Sequence, residues 1–162
     1  MSTIELKART AETVALYFEK ANTPAIRAVL PQKAKTLAEA LADFEQTQLP
    51  GATSYGRTIH VDGRYIGDIW CYCIDKCEEP NAMVSYCIFE PDYCGKGIAT
   101  EALRLFMAEI RSKFGLKSLG AFTFLSNTAS IRVLKKNGFT LREEFTEDGV
   151  KSCYLQTELI LE

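Results

Sequence analysis

Histidine is nearly missing from this chain: of 162 residues only His60 is one. Zinc sites combine paired cysteines with a second pair or with histidines farther along, so "CYCIDKC", with Cys71, Cys73 and Cys77, lacks the partners a metal cluster needs. No metal is expected. The same shortage removes a local Cys–His pair for nucleophilic catalysis. The six cysteines read instead as reduced thiols in the core or near the surface, and in an extended strand Cys71 and Cys73 point to one face. Runs of basic residues are missing too. With 19 basic against 21 acidic side chains and a pI near 5.6, the chain offers no footprint for a phosphate backbone, and no nucleic-acid partner is expected. No apolar stretch approaches the roughly 20 residues of a membrane-spanning helix, and "MSTIELKART" lacks the apolar centre of a signal peptide. The expectation is a cytoplasmic protein with no membrane partner. Internal repeats, low-complexity tracts and linker compositions are absent, so residues 1–162 read as a single domain with one core.

What is present is a regular alternation of strand and helix signals. "TIELKART" opens as a short strand, and "TAETVALYFEKAN" follows as a helix capped by Thr10. "NTPAIRAVLPQ" holds two prolines and reads as a loop. "KTLAEALADFEQTQL" spaces Leu37, Leu41 and Phe44 as a helix does, and "LPG" stops it. "TSYGRTIHVDGRYIGDIWCYCID" contains two strand-like runs joined at Asp62 and Gly63, a strong hairpin signal. "AMVSYCIF" is a further strand ending before Pro91. From Gly97 to Phe114, Ala99, Ala102, Leu103, Phe106 and Ile110 form one apolar stripe. "LKSLGAFTFL" is a strand, Asn127 precedes the short helix "TASIRVLKKN", and Gly138 ends it. "FTLREEFTEDGVKSCYLQTELIL" gives two strands around Glu147, Asp148 and Gly149. The sum is a mixed α/β (α+β) fold of about seven strands and four helices, with helices on the faces of the sheet.

The corner "EPDYCGKGIATEALRLF", Glu90 to Phe106, places Gly95 and Gly97 immediately before a helix. The first turn of a helix carries N–H groups without intrahelical partners and a partial positive charge, so such a corner suits an anion, and phosphate is the first candidate. Two familiar phosphate motifs fail here. The Walker pattern needs Ser or Thr after the lysine, where Gly97 stands, and a glycine where Glu90 stands. The dinucleotide pattern G-x-G-x-x-G is met by Gly95 and Gly97 but has Thr100 at its third glycine.

The corner does resemble the GNAT superfamily of acyl-CoA-dependent N-acyltransferases, whose signature Q/R-x-x-G-x-G/A is matched by "CGKGIA", with Gly97 and Ala99 at the small positions. Cys94 stands where the signature has Gln or Arg. The branch that resembles ribosomal-protein alanine N-terminal acetyltransferases relaxes that position and carries "GKG" followed by "ATEA", as Gly95 to Ala102 do. A second and more specific signature, N-x-x-S-x-x-V-L-x-K-x-G-F, appears as "NTASIRVLKKNGF" from Asn127 to Phe139. The hairpin "DGRYIG" resembles the same branch.

That resemblance implies a mostly antiparallel twisted sheet splayed between its fourth and fifth strands, and acetyl-CoA as cosubstrate. Amides of Cys94, Gly95, Lys96, Gly97, Ile98, Ala99 and Thr100 would converge on its pyrophosphate, because glycine lets backbone approach where a side chain blocks it. Lys96 either adds charge there or is a solvated loop lysine. The pantetheine arm would bond backbone near Tyr86, Cys87 and Ile88 as an added strand does. Asn127 would contact pantetheine or substrate, and would cap a helix in any case. The implied partner is an amine, either a protein N-terminus or a small amine, and a homodimer is a further expectation because relatives commonly form them.

Acetyl transfer from a thioester to an amine needs a neutral amine, stabilisation of the oxyanion and a proton for the departing thiolate. A tyrosine seven residues after the asparagine supplies that proton in many relatives, but Leu134 stands there. Ser130 resembles the serine proposed for this task in the N-terminal acetyltransferase branch; otherwise it is an ordinary hydroxyl in the first turn of a helix. A carboxylate that relatives carry on the fourth strand is replaced by Met83. Glu78, Glu79, Glu90, Asp68 and His60 are the substitutes in view, none preferred over a water chain to solvent. The N–H of Cys87 or Ile88 would face the oxyanion. "NTPAIRAVLPQ" and the hairpin at Asp148 would line the acceptor entrance, with Arg27, Glu143 and Glu144 as charge selectors. The main expectation is therefore an acetyl-CoA-dependent N-acetyltransferase; the alternative is a CoA-binding sensor or partner-binding module without catalysis.

Overall fold

The computed structural model describes residues 2–30 and 34–159. Pro31 and Gln32, at the end of the expected loop, and Ile160 and Leu161, at the end of the last expected strand, lie outside them. The chain runs β1 (Ile4–Ala8), α1 (Ala11–Lys20), α2 (Pro24–Val29), α3 (Leu37–Thr47), β2 (Tyr55–Val61), β3 (Arg64–Asp75) and β4 (Asn81–Ile88), then a 3₁₀ turn at Pro91–Tyr93. It continues with α4 (Ile98–Phe114), β5 (Ser118–Phe124), α5 (Thr128–Lys136), β6 (Thr140–Glu147) and β7 (Val150–Glu158). All seven strands form one sheet in the order β1-β2-β3-β4-β5-β7-β6, antiparallel except where β4 meets β5.

Local chemistry accounts for most of these elements. Thr10, Thr23 and Thr36 cap the first three helices by accepting a hydrogen bond from the N–H three residues on, and Asn127 does the same for α5. Both two-residue hairpins have Asp-Gly with positive φ at each position, 51° and 85° at Asp62 and Gly63, 49° and 77° at Asp148 and Gly149. That backbone matches the right-handed twist of the strands it joins.

Two expectations need correction. The segment expected as a loop contains α2, because a proline directly after a capping Thr23 sits at the first helical position, where its missing N–H costs nothing. The described helices therefore number five besides the 3₁₀ turn, not four. Cys71 and Cys73 do not share a face. β3 carries one extra residue between Tyr72 and Asp75, Cys73 takes a φ of 53°, and Cys71 is buried while Cys73 is exposed.

The sheet separates two unlike interiors. On one face α4 lays Ile98, Ala102, Leu103, Phe106 and Ile110 against Ile59, Ile69 and Cys71, with Leu119, Ala121 and Leu155 across the sheet and Leu134 of α5. Each such aliphatic or aromatic side chain contributes about 1.5–3 kcal/mol by leaving water. On the other face Tyr17 of α1 packs edge-on against Trp70 and Phe89, and beneath it lies a polar knot. Asp68, only 2% exposed, pairs with Arg9 at 3.1 Å and accepts from the Tyr65 hydroxyl. The Arg9 guanidinium lies so close over Gly56 that a Cβ there would come within 2.3 Å of it. Burial pushes the Asp68 carboxyl up, and Arg9 and Tyr65 oppose that shift.

Candidate active site

Among the described strands, the one parallel junction of the sheet is also the shortest. β4 and β5 pair over three positions, Asn81–Ser118, Ala82–Leu119 and Met83–Gly120, and then part, although β4 runs on to Ile88 and β5 to Phe124. A parallel pair is slightly less stable per residue than an antiparallel one, and beyond Met83–Gly120 no backbone ladder joins the two strands. A cleft of about 510 Å³ opens at this seam and is lined from both faces of the sheet. That volume falls in the range of small-molecule sites.

On the α4 side the cleft meets the glycine corner. Gly95 and Gly97 have φ of 73° and 79°, a left-handed backbone that glycine adopts without strain, and open space lies where either Cβ would stand. Gly97 caps α4 with no side-chain hydrogen bond, whereas each of the other four described α-helices is capped by a Thr or Asn side chain. The longest helix thus presents a first turn whose N–H groups no side chain caps, at a cleft lined by Ile98, Ala99 and Thr100. Glu90, at the start of the corner, is held by Arg64 at 3.3 Å and Lys20 at 3.7 Å, which tethers the corner to β3 and α1.

Across the seam, the structure joins two residues that sequence spacing did not connect. The Tyr86 hydroxyl of β4 donates to Ser130 Oγ at 3.3 Å, and the Ser130 N–H donates to Asn127 Oδ1 at 3.2 Å. Burial pushes the Tyr86 phenol up, and its hydrogen bond with Ser130 opposes that shift. Cys87 lines the cleft from the other face of β4; burial pushes its thiol to about 11, opposed by a hydrogen bond with Tyr17. Cys94 is exposed at the cleft edge, its thiol also raised by burial.

Of the residues singled out in the sequence, Tyr86, Cys87, Ile88, Cys94, Gly95, Gly97, Ile98, Ala99, Thr100, Asn127 and Ser130 all line this one cleft. Lys96 is exposed and is not part of its lining. None of the five substitute bases lines it either. Asp68 is locked beneath α1, and Glu90 is paired as above. His60 shares its Nε2 with Thr58 Oγ1 at 2.9 Å, and Glu78 and Glu79 are exposed between β3 and β4. Arg27, Glu143 and Glu144 also stand outside the lining; Ile26 and Val29 of α2, Leu30 just after it, and Glu147 beside Asp148 are in it. Sequence reading missed Glu147, the Tyr86 hydroxyl, and Arg132 and Lys136, one turn apart on α5. The i, i+4 spacing was the available signal for the last pair.

A seven-stranded sheet parted at its parallel seam, with an open helix N-terminus at the gap, defines a fold class in which a ligand with anionic groups can be threaded between strands. The sequence profile of the Acetyltransferase (GNAT) domain family matches residues 4–140, and the chain belongs to that family of acetyltransferases. Solved structures with the same fold include a spermidine N-acetyltransferase from Vibrio cholerae in complex with CoA and spermine (TM-score 0.85, 12% identity, 96% of this chain and 95% of that one). RimL, a ribosomal L7/L12 alpha-N-protein acetyltransferase in complex with coenzyme A, matches with TM-score 0.81 and 20% identity over 97% and 94% of the two chains. The aminoglycoside acetyltransferase AAC(6')-Ib in complex with coenzyme A and kanamycin matches with TM-score 0.80 and 18% identity over 96% and 95%. No curated protein sequence matches the chain significantly.

Proposed function

We propose that the protein transfers an acetyl group from acetyl-CoA to a primary amine, either a protein N-terminal α-amino group or a small amine. The observation that carries this reading is the seam itself: an uncapped α4 N-terminus with two left-handed glycines opens onto the gap between β4 and β5. Acetyl-CoA supplies the activated acyl group as a thioester and a pyrophosphate by which to hold it.

The protein's own residues fit that group. Amides from Cys94 to Thr100 bind the pyrophosphate, with the space above Gly95 and Gly97 left free for it. Arg132 and Lys136 supply positive charge on the same side of the cleft, a task that Lys96 is less well placed to perform. The edge of β4 from Val84 to Ile88, released from β5, offers backbone groups to the amide-bearing arm as a neighbouring strand would. Of the two amides expected at the oxyanion, that of Cys87 points with the Phe89 N–H toward β3, so the N–H of Ile88 is the one that faces the carbonyl oxygen on which charge develops.

As the C–N bond forms and the C–S bond breaks, Ser130 gives its proton to the departing thiolate and regains one released, through water, by the amine nitrogen, so that CoA leaves as the thiol and the product as a neutral amide; Ser130 is the catalytic residue of this reading. Tyr86 positions it: by donating to Ser130 Oγ it leaves the serine proton free to point into the cleft and makes it a better donor. The amine reaches the site neutral, which is easier for an α-amino group of pKa about 7.7–8.0 than for a lysine-like amine of about 10.4. The buried Asp68 has no part in the step.

The test has two arms. Acetyl-CoA should raise Tm, and Gly97→Glu, which puts a charge at the pyrophosphate, should abolish the shift, while Gly97→Ala, a Cβ on a left-handed backbone in the same space, should reduce it. An acceptor screen read by mass should show an acetyl adduct. A retained shift in Gly97→Glu overturns the binding site, and binding without any adduct favours the noncatalytic sensor.

A further inference from the structure

The two halves of the cleft differ in chemistry, and the half facing α1 and α2 has no role in holding the acyl donor. Strand alternation assigns its residues. Tyr17 packs on Phe89, so Met83, Ser85 and Cys87, which alternate with it along β4, face α1. A Cβ on Gly120 would meet Met83 Sδ and Tyr154 Oη, so Gly120 and Phe122 of β5 face the same way. Phe122 stands opposite Tyr154 on β7, with ring centres 5.1 Å apart, and meets the Phe145 ring of β6 edge-on at 5.8 Å. Glu147, two residues beyond Phe145, extends that face toward the hairpin.

This half is therefore an aromatic and aliphatic wall, with Phe122, Phe145 and Tyr72 from the sheet and Ile26 and Val29 from α2, and with Glu147 at its edge. Phe122 is 55% exposed, a large apolar surface left open to solvent where none is needed for the core. Glu147 is the one carboxylate among the described residues that line the cleft; the other charged residues there, Arg132 and Lys136, are cationic. One acidic group can neutralise one ammonium. A polyamine or an aminoglycoside brings several, and the further charges would find no second carboxylate among the described lining residues and would stand near Arg132 and Lys136 or along the aliphatic part of the wall.

Resting on the acetyltransferase reading above, we infer that the acceptor is an amine with a single positive charge on an apolar body, and that Glu147 is its specificity-determining carboxylate. The ammonium is drawn to Glu147 and the face of Phe122 or Phe145 as it enters, then gives up its proton to solvent so that the neutral amine attacks, and the apolar body lies along the wall toward α2. A peptide N-terminus whose first side chain is hydrophobic and a free arylalkylamine share this chemistry.

The experiment measures both binding and turnover on the full chain. Calorimetry in the presence of coenzyme A compares phenethylamine, the dipeptide amide Phe-Ala-NH₂ and spermidine, and kcat/KM for each is measured with acetyl-CoA by mass detection of product. Phenethylamine or the dipeptide should exceed spermidine by at least about tenfold, and whichever of the two is preferred identifies the source. Glu147→Gln should weaken the preferred amine about tenfold, chiefly in KM, and leave the Tm shift by acetyl-CoA unchanged, while Phe122→Ala should narrow the gap between it and spermidine. Amine binding that depends on Glu147 but gives no product upholds this inference and overturns the transferase reading. Preference for spermidine, no binding or turnover of either single-charge amine, or a Glu147→Gln protein indistinguishable from the parent overturns the inference.

Discussion

Asp68 and Glu147 are carboxylates on the same face of one sheet, on opposite sides of the β4–β5 seam. Asp68 lies where the ladder is continuous: β3 is paired on both edges, α1 covers the face, and the carboxylate is enclosed by Arg9 and the Tyr65 hydroxyl. Glu147 lies where β6 forms the edge of the sheet beside an uncovered aromatic surface, exposed and lining the cleft. The first has no access to a ligand, and the second has no side-chain hydrogen-bond or ion-pair partner among the described residues. An acid therefore cannot be given a role from its residue type or from its strand; what decides is whether the sheet around it is closed or parted.

The largest effect that would test this contrast is Asp68→Ala. It strands the Arg9 guanidinium without its partner, and removing one member of a buried ion pair costs about 3–5 kcal/mol. Chemical denaturation should show that loss, while the Tm shift by acetyl-CoA in the surviving folded protein stays the same size. If Asp68→Ala instead removed turnover from a fully stable protein, the two carboxylates would have to exchange roles. Next in size is Ser130→Ala, which should lower kcat by about a hundredfold, the low end of what a positioned proton donor contributes, with little change in the Kd for acetyl-CoA. A mutant as active as the parent would remove Ser130 from the chemistry. Tyr86→Phe should give a smaller loss in kcat of the same kind, since Ser130 keeps its own proton. Smallest is Lys96→Ala. An exposed lysine outside the cleft lining contributes at most about 1 kcal/mol, so its effect on acetyl-CoA affinity should be under about fivefold and should fade with added salt.

Most of the fold was legible because its signals are local. Thr10 and Asn127 announce helix starts, Asp-Gly announces both hairpins, and the stripe from Ala102 to Ile110 announces a buried helix face. The glycine corner was legible for the same reason, since left-handed backbone at Gly95 and Gly97 is a property of residue and position together. α2 escaped notice because the two prolines of its segment read as breakers, although a proline right after a capping threonine, as Pro24 is, favours a helix start. The facing of Cys71 and Cys73 escaped because a single inserted residue in β3 reverses alternation, and no local pattern marks that insertion.

By itself the sequence determined which segments become strands and helices, where α4 begins and that its beginning carries no side-chain cap, for these depend on neighbours within a few residues. Only the tertiary structure decided that Tyr86 meets Ser130 across 44 positions of chain, that Asp68 is sealed away, and that Phe122, Phe145 and Glu147 share one wall. The physical reason is that these relations are set by how strands are ordered and where β4 and β5 part, and strand order is a choice among long-range pairings that residue spacing along the chain does not encode.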